Sequence, residues 1–155
     1  MQQRAVLLHN IRSSHNVGSI FRTCDGAGVG EIILSGYTPA PLDRFGRPQK
    51  DIAKTALGAE KLIPWTTVKN PMKAIAQMRK RGFTVVGVEQ DTRALDYRSY
   101  TNEKPTLYIF GNEVRGISKT LRDACDVLIE IPMQGKKESL NVSVAAGVAL
   151  FGTIQ

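Results

Sequence analysis

The chain has 155 residues, 42% hydrophobic and 23% charged, with a formal net charge of +7. That size and balance predict one soluble globular domain with a real core, and no apolar run approaches the roughly 18 residues of a membrane span. The start, M-Q-Q-R-A-V-L-L-H-N, turns polar too soon for a signal peptide. Cys24 and Cys125 are the only cysteines and His9 and His15 the only histidines, so a disulfide framework, a zinc cluster or any other metal site is not expected. A cytoplasmic, metal-free chain is the expectation, and its basic balance favours a polyanion partner, RNA or DNA above all.

In chain order, Arg4 to His9 is short and apolar and predicts a first strand. The segment from Asn10 to Gly18 offers several caps for a helix through Ile20, Phe21 and Cys24. Gly26, Gly28 and Gly30 end that helix, and Glu31 to Leu34 reads as a second strand. A strand–helix–strand unit of this kind implies parallel pairing. Residues 35–51 form a long loop with Pro39, Pro41, Gly46 and Pro48, rich in cations at Arg44, Arg47 and Lys50. A loop this long is either functional or simply solvated. A short helix from Asp51 to Leu57 leads through Gly58 to a small strand, Leu62 to Trp65.

Asn70-Pro71 has the form of an N-cap followed by a first helical residue. Met72, Ile75 and Met78 would line the buried face of that helix, with Lys73, Lys80 and Arg81 in water. Gly82 closes it before a buried strand, Phe83 to Val88. Thr106 to Phe110 predicts another strand, followed by G-N-E-V-R-G-I-S, a helix around Leu121, and a last strand, Val127 to Ile131. Pro132 stops that strand because it has no N–H for the ladder. After the loop with Gly135, Lys136 and Lys137, Ser139 stands as the expected N-cap of a final apolar helix. Leu140, Val144, Val148 and Phe151 share one face of it, expected to be the core face. Strands alternate with helices throughout, so the fold class is α/β, a mainly parallel sheet with helices on both faces.

Several familiar sites are excluded. Gly111 to Gly116 is G-x-x-x-x-G but continues as Ile-Ser, without the lysine of a nucleotide phosphate loop. Gly26 to Gly30 follows a helix instead of preceding one, the wrong order for a dinucleotide fingerprint. No Ser/His/Asp or Cys/His set stands out.

Three stretches remain, each after a predicted strand: N-I-R-S-S-H-N-V-G-S-I-F-R-T-C-D from Asn10, F-G-N-E-V-R-G-I-S from Phe110, and I-P-M-Q-G-K-K-E-S-L-N-V-S-V-A from Ile131. In this order they closely resemble the three motifs of the SpoU/TrmH family of RNA 2'-O-ribose methyltransferases, within the SPOUT superfamily. Ala56-Leu-Gly-Ala59 resembles that family's link between the first strands and the RNA loop. The resemblance covers nearly the whole chain.

The resemblance implies a single SPOUT methyltransferase domain over 1–155, without a separate RNA-binding extension, closed by a C-terminal deep trefoil knot. It implies S-adenosyl-L-methionine as cofactor, tRNA or rRNA as substrate, and a homodimer with the first helix and the Ser143–Phe151 helix near the interface. By position, Asn16 and Arg22 match the catalytic first motif and Glu113 the carboxylate of the second. Ser139, Asn141 and Ser143 match the polar positions of the third. Cofactor contacts fall on Val88, Gly111, Ile131, Met133, Ser139, Leu140 and Asn141, with Gly111 expected to admit close approach of the ligand. Arg12, Arg44, Arg47 and Lys50 are the expected phosphate contacts. Arg22 is expected to act as a fixed cation held by Glu113. More modest roles stand beside these: Glu113 as support for Asn16 or a helix start, Ser139 as an N-cap. The rival reading of the whole is a non-catalytic RNA-binding module that retains the fold.

Overall fold

In the computed structural model, which describes residues 2–154, all seven strands run parallel in one sheet. The expected domain, 1–155, includes Met1 and Gln155, which lie outside the described residues. The strands are β1 (Arg4–His9), β2 (Glu31–Ser35), β3 (Trp65–Val68), β4 (Thr84–Val88), β5 (Leu95–Asp96), β6 (Thr106–Phe110) and β7 (Val127–Glu130). Their spatial order is β3-β2-β1-β6-β4-β7-β5. Each of the last two long strands is inserted between earlier ones, β6 between β1 and β4, β7 between β4 and β5.

The helices are α1 (Ser14–Gly26), α2 (Lys50–Ala56), α3 (Ala59–Leu62), α4 (Pro71–Lys80), α5 (Lys119–Ala124) and α6 (Val142–Gly152). Central strands of a parallel sheet are covered on both faces and so read as continuous apolar runs. Ala5 to Leu8 of β1 are wholly buried. Val6 and Leu8 join a core with Val17, Phe21 and Ile52 of α1 and α2 and with Leu150 of α6. Ala5 and Leu7 face the opposite core, with Ile75 and Met78 of α4 and Leu121 of α5. The expected helices on both faces are present.

Local signals explain most element ends. Ser13 caps α1 by accepting the Asn16 N–H at 3.2 Å, and Asn70 caps α4 ahead of Pro71. Gly18 is required by close packing. A Cβ there would stand 2.0 Å from Thr55 Oγ1 and 2.4 Å from the Ile52 carbonyl, so α1 meets α2 almost backbone to backbone. Thr55 Oγ1 donates across that contact to the His15 carbonyl at 2.9 Å.

Three expectations are corrected. Residues 62–65 are not a strand: Ala59–Leu62 is a helical turn, and β3 begins at Trp65. On α4 the buried residues are Ala74, Ile75 and Met78, while Met72 is exposed. The third concerns α6. Its buried side is Val142, Ala146, Ala149 and Leu150; Leu140, Val144 and Phe151 are exposed and Val148 is half-buried. The apolar stripe exists as read but points outward. The inward side is pinned by Arg4, nearly buried, whose Nη1 donates to the Leu150 carbonyl at 2.7 Å. A cation there also complements the C-terminal end of the helix dipole. Gly147 is not a crossing point of two backbones within the chain, because a Cβ there would meet only Thr23 Cγ2, at 3.8 Å.

Candidate active site

Register places the three motifs together. Leu8 pairs with Phe110, Gly87 with Ile109 and Val88 with Ile129, so β1, β6, β4 and β7 end at one edge of the sheet. In a parallel sheet that carboxyl edge is where ligands bind. A cleft of about 440 Å³ opens there, within the range of small-molecule sites. Val88, Gly111, Ile131, Met133, Ser139 and Leu140 all line it. Asn141 does not; its Oδ1 accepts the Ser143 N–H at 2.9 Å and the Ser143 hydroxyl at 2.6 Å. Asn141, not Ser139, is therefore the N-cap of α6, which leaves Ser139 exposed on the cleft rim.

The loop 111–117 is the hub of the cleft. Glu113 accepts the Arg12 N–H at 2.9 Å, the Ser13 N–H at 2.9 Å and Asn16 Nδ2 at 3.3 Å. Burial pushes the Glu113 carboxyl up, but the Arg12 and Ser13 amides and Asn16 outweigh it, and its pKa falls below the ordinary carboxylate value. Glu113 thus holds the start of the first motif, the more modest of its two expected roles. It does not hold Arg22, which is exposed on α1, forms no side-chain hydrogen bond or ion pair among the described residues, and does not line the cleft.

Asn112, nearly buried, donates to the Asn10 carbonyl at 2.9 Å and to the Tyr37 hydroxyl at 3.0 Å, and accepts the Val114 and Arg115 N–H groups. Glu89, just past β4, accepts the Ile117 N–H at 2.8 Å. Gly111 proves to be structural. A Cβ there would lie 2.5 Å from the Gly116 carbonyl and 2.6 Å from the Ile117 nitrogen, so its bare Cα is what lets the loop close on itself at the cleft wall.

Glu89, Asn112 and Arg115 were not singled out from sequence, though each lies beside or inside a quoted motif. Asn112 and Arg115 belong to G-N-E-V-R-G, and Glu89 follows Val88. Arg115 is the sole Lys or Arg on the cleft wall. Opposite it, the chain from Pro132 to Leu140 forms no regular structure, and its main chain makes no hydrogen bond to other described residues. Apolar walls with free backbone donors and acceptors suit a flat heteroaromatic ring with polar edges. Among the described residues no group of three or more His, Cys, Asp or Glu could hold a metal ion.

Of the expected phosphate contacts, Arg12, Arg44, Arg47 and Lys50 are all exposed. Arg47 is already paired with Asp43, Nε to Oδ2 at 2.8 Å. Among the described residues, no helix is long and apolar enough to cross a membrane.

Residues 3–151 match the model of the SpoU rRNA Methylase family. The 23S rRNA (guanosine-2'-O-)-methyltransferase RlmB of Ralstonia nicotianae is 35% identical over 154 residues, 97% of this chain and 57% of that protein. The chain thus spans little more than half the length of the curated relatives it matches. The AdoMet-bound rRNA methyltransferase of Sinorhizobium meliloti superposes with a TM-score of 0.87 at 31% identity, covering 97% of this chain and 55% of that one. The TrmH/SpoU tRNA modifying enzyme of A. aeolicus gives 0.85 at 29% identity, over 99% and 74%. With three motifs gathered at one edge of the sheet and a family match across nearly its whole length, the chain belongs to the SpoU rRNA methylase family.

Proposed function

We propose that this chain is a catalytic domain that transfers a methyl group from S-adenosyl-L-methionine to a ribose 2'-hydroxyl of tRNA or rRNA. The observation that carries the reading is the meeting of the second and third motifs, with Val88, around one cleft that sets apolar side chains beside free main chain, while Glu113 fastens the first motif to its rim. The cofactor supplies an electrophilic methyl group on a sulfonium. Val88, Ile131, Met133 and Leu140 would hold its adenine between apolar walls, and the free main chain of 132–140 would meet the ring edge. Gly111 and Asn141 would act indirectly, by shaping the 111–117 loop and by starting α6.

A ribose hydroxyl is a weak nucleophile near neutral pH, so it needs a base or stabilisation of its developing charge. Glu113 is engaged with three donors and is a weak base. A guanidinium keeps its proton, with a pKa above about 12. Arg22 is therefore a fixed cation for the oxygen or the adjacent phosphate, the hydroxyl proton passes to that phosphate as the methyl leaves the sulfonium sulfur as a thioether, and Asn16 and Ser139 orient the ribose. Arg115, on the cleft wall, is a second cation within the same site. Because Arg22 lies outside the cleft of its own chain, RNA or a second copy of the chain must bring it to the reacting oxygen.

The exposed stripe of Val144 and Phe151 supports a homodimer through α6 and α1, since a helix apolar on all sides is normally covered. The insertion of β6 and β7 between earlier strands supports a C-terminal trefoil knot. Stretching the chain by its ends tests the knot, because a knotted chain stops short of the roughly 3.3–3.6 Å per residue of full extension. The cytoplasm, with its tRNA and rRNA, is the compartment this reading implies.

Calorimetric titration with S-adenosylmethionine, followed by methylation mapping on total RNA with and without the protein, tests the function. Binding and a new 2'-O-methyl position are expected. RNA binding with no cofactor affinity would replace this reading with the non-catalytic RNA-binding module.

A further inference from the structure

Residues 36–49 contain a built projection that the cleft does not account for. Asp43 organises it: its Oδ1 accepts the Phe45 N–H at 2.8 Å and the Arg47 N–H at 2.9 Å, and its Oδ2 takes Arg47 Nε at 2.8 Å. The Asp43 N–H donates to the Arg47 carbonyl, Leu42 bridges Pro48, and Gly46 completes the turn at φ +75°. Hydrogen bonds from the Arg47 backbone, and then from the Arg47 side chain and Phe45 N–H, outweigh the slight burial and hold the Asp43 carboxyl below its ordinary pKa. The tip is thus fixed and not a slack loop. It presents Phe45, 66% exposed, with the Arg44 and Arg47 guanidinium groups 4.8 and 5.0 Å from the ring centroid.

An aromatic ring held out in water beside two guanidinium groups is a surface of the kind that stacks bases and meets phosphates. The same loop carries Tyr37, 59% exposed, whose hydroxyl is anchored to Asn112 in the cleft wall. One exposed aromatic therefore touches the cleft and the other stands farther along a cationic loop.

We propose that Phe45 and Tyr37 are stacking platforms for unpaired RNA bases, so that the segment presented to the cleft is single-stranded. The proposal rests on the RNA reading above. The chemistry favours this occupant. Arg44, beside the Phe45 ring, and Lys50, at the start of α2, are exposed cations for phosphates, and base–aromatic stacking tolerates any base because each has a π-face. In an A-form duplex the bases are already stacked on one another and offer no free face to these rings.

The test compares binding of a short unstructured RNA and a hairpin duplex of matched length, by fluorescence anisotropy without cofactor. Phe45→Ala is expected to weaken single-strand binding by at least about fivefold, the low end for one lost base–aromatic stack. Phe45→Trp should retain or strengthen it. The dependence of affinity on salt should stay as in wild type, since no phosphate contact is removed. Tyr37→Phe separates platform from anchor, and should keep single-strand affinity while the ring remains. Unchanged single-strand affinity in Phe45→Ala, an equal loss on the duplex, or no preference of wild type for the single strand would each overturn the proposal. Cofactor calorimetry on wild type reports separately on the methyltransferase reading, so the two can fail independently.

Discussion

Removing the Glu113 carboxylate would strip the Arg12 and Ser13 amides and Asn16 of their shared acceptor at the start of α1. Glu113→Gln places an amide where three donors converge, and losing such a charged acceptor should destabilise the fold by about 1–2 kcal/mol. The pH dependence has a definite sign. The folded pKa lies below the unfolded one, so this stabilisation is fully present above the ordinary carboxylate range and fades as pH falls through the folded value. Thermal melts should therefore separate wild type from Glu113→Gln at neutral pH and converge in strong acid. Arg22 has the opposite profile. It is exposed and unpaired among the described residues, so Arg22→Ala should leave stability within about 0.5 kcal/mol. Single-turnover methyl transfer should nevertheless collapse, with cofactor affinity kept, and Lys at that position should recover part of the rate.

Helix packing makes a sharper demand at Gly18. Gly→Ala in a helix interior normally gains about 1 kcal/mol. Here the added Cβ meets the Ile52 carbonyl, main chain that cannot swing aside. Overpacking of this kind costs about 1–3 kcal/mol, so Gly18→Ala should lower the melting temperature despite its better propensity. The α6 cap gives a paired test. Asn141→Ala should cost about 1 kcal/mol, whereas Ser139→Ala should be near neutral for stability and lower turnover instead. Sequence periodicity could not make that distinction, because Ser139 and Asn141 are both good caps two residues apart. Only the turn geometry decides which one accepts the Ser143 N–H. The same limit applies to α6 as a whole. V-S-V-A-A-G-V-A-L-F-G is apolar on every side, so its pattern cannot say which stripe faces the sheet. Strands such as β1, apolar from Ala5 to Leu8, and β6, buried at every position, are readable because parallel pairing leaves them no wet face. β3 was misplaced because Leu62 and Ile63 look like strand residues but close a helical turn. The motifs fixed which loops meet at the cleft, whereas the need for a bare Cα at Gly111 to close the loop on Gly116 shows only in the fold.

Two charge and surface features act at the scale of the whole molecule. The first is the cationic loop. Arg44 is free of ion pairs among the described residues, while Arg47 is committed to Asp43. Arg44→Ala should therefore lower the slope of log affinity against log salt by about 0.7 for a single-strand contact, and Arg47→Ala by less. The second is the outward face of α6. Val144 and Phe151 are each 51% exposed. α1 lies against the same helix, with Gly26 beside Phe151. A dimer across this face would bury that stripe and carry the exposed α1, with Arg22, toward a second copy. Phe151→Lys should then yield monomers by light scattering at micromolar concentration, with the far-ultraviolet spectrum retained because Phe151 is not in the core. If Arg22 works on RNA bound at the partner's cleft, turnover should fall with the dimer while cofactor affinity per chain persists. Full turnover in a proven monomer would instead confine Arg22 and the cleft to one chain, with RNA alone bridging them.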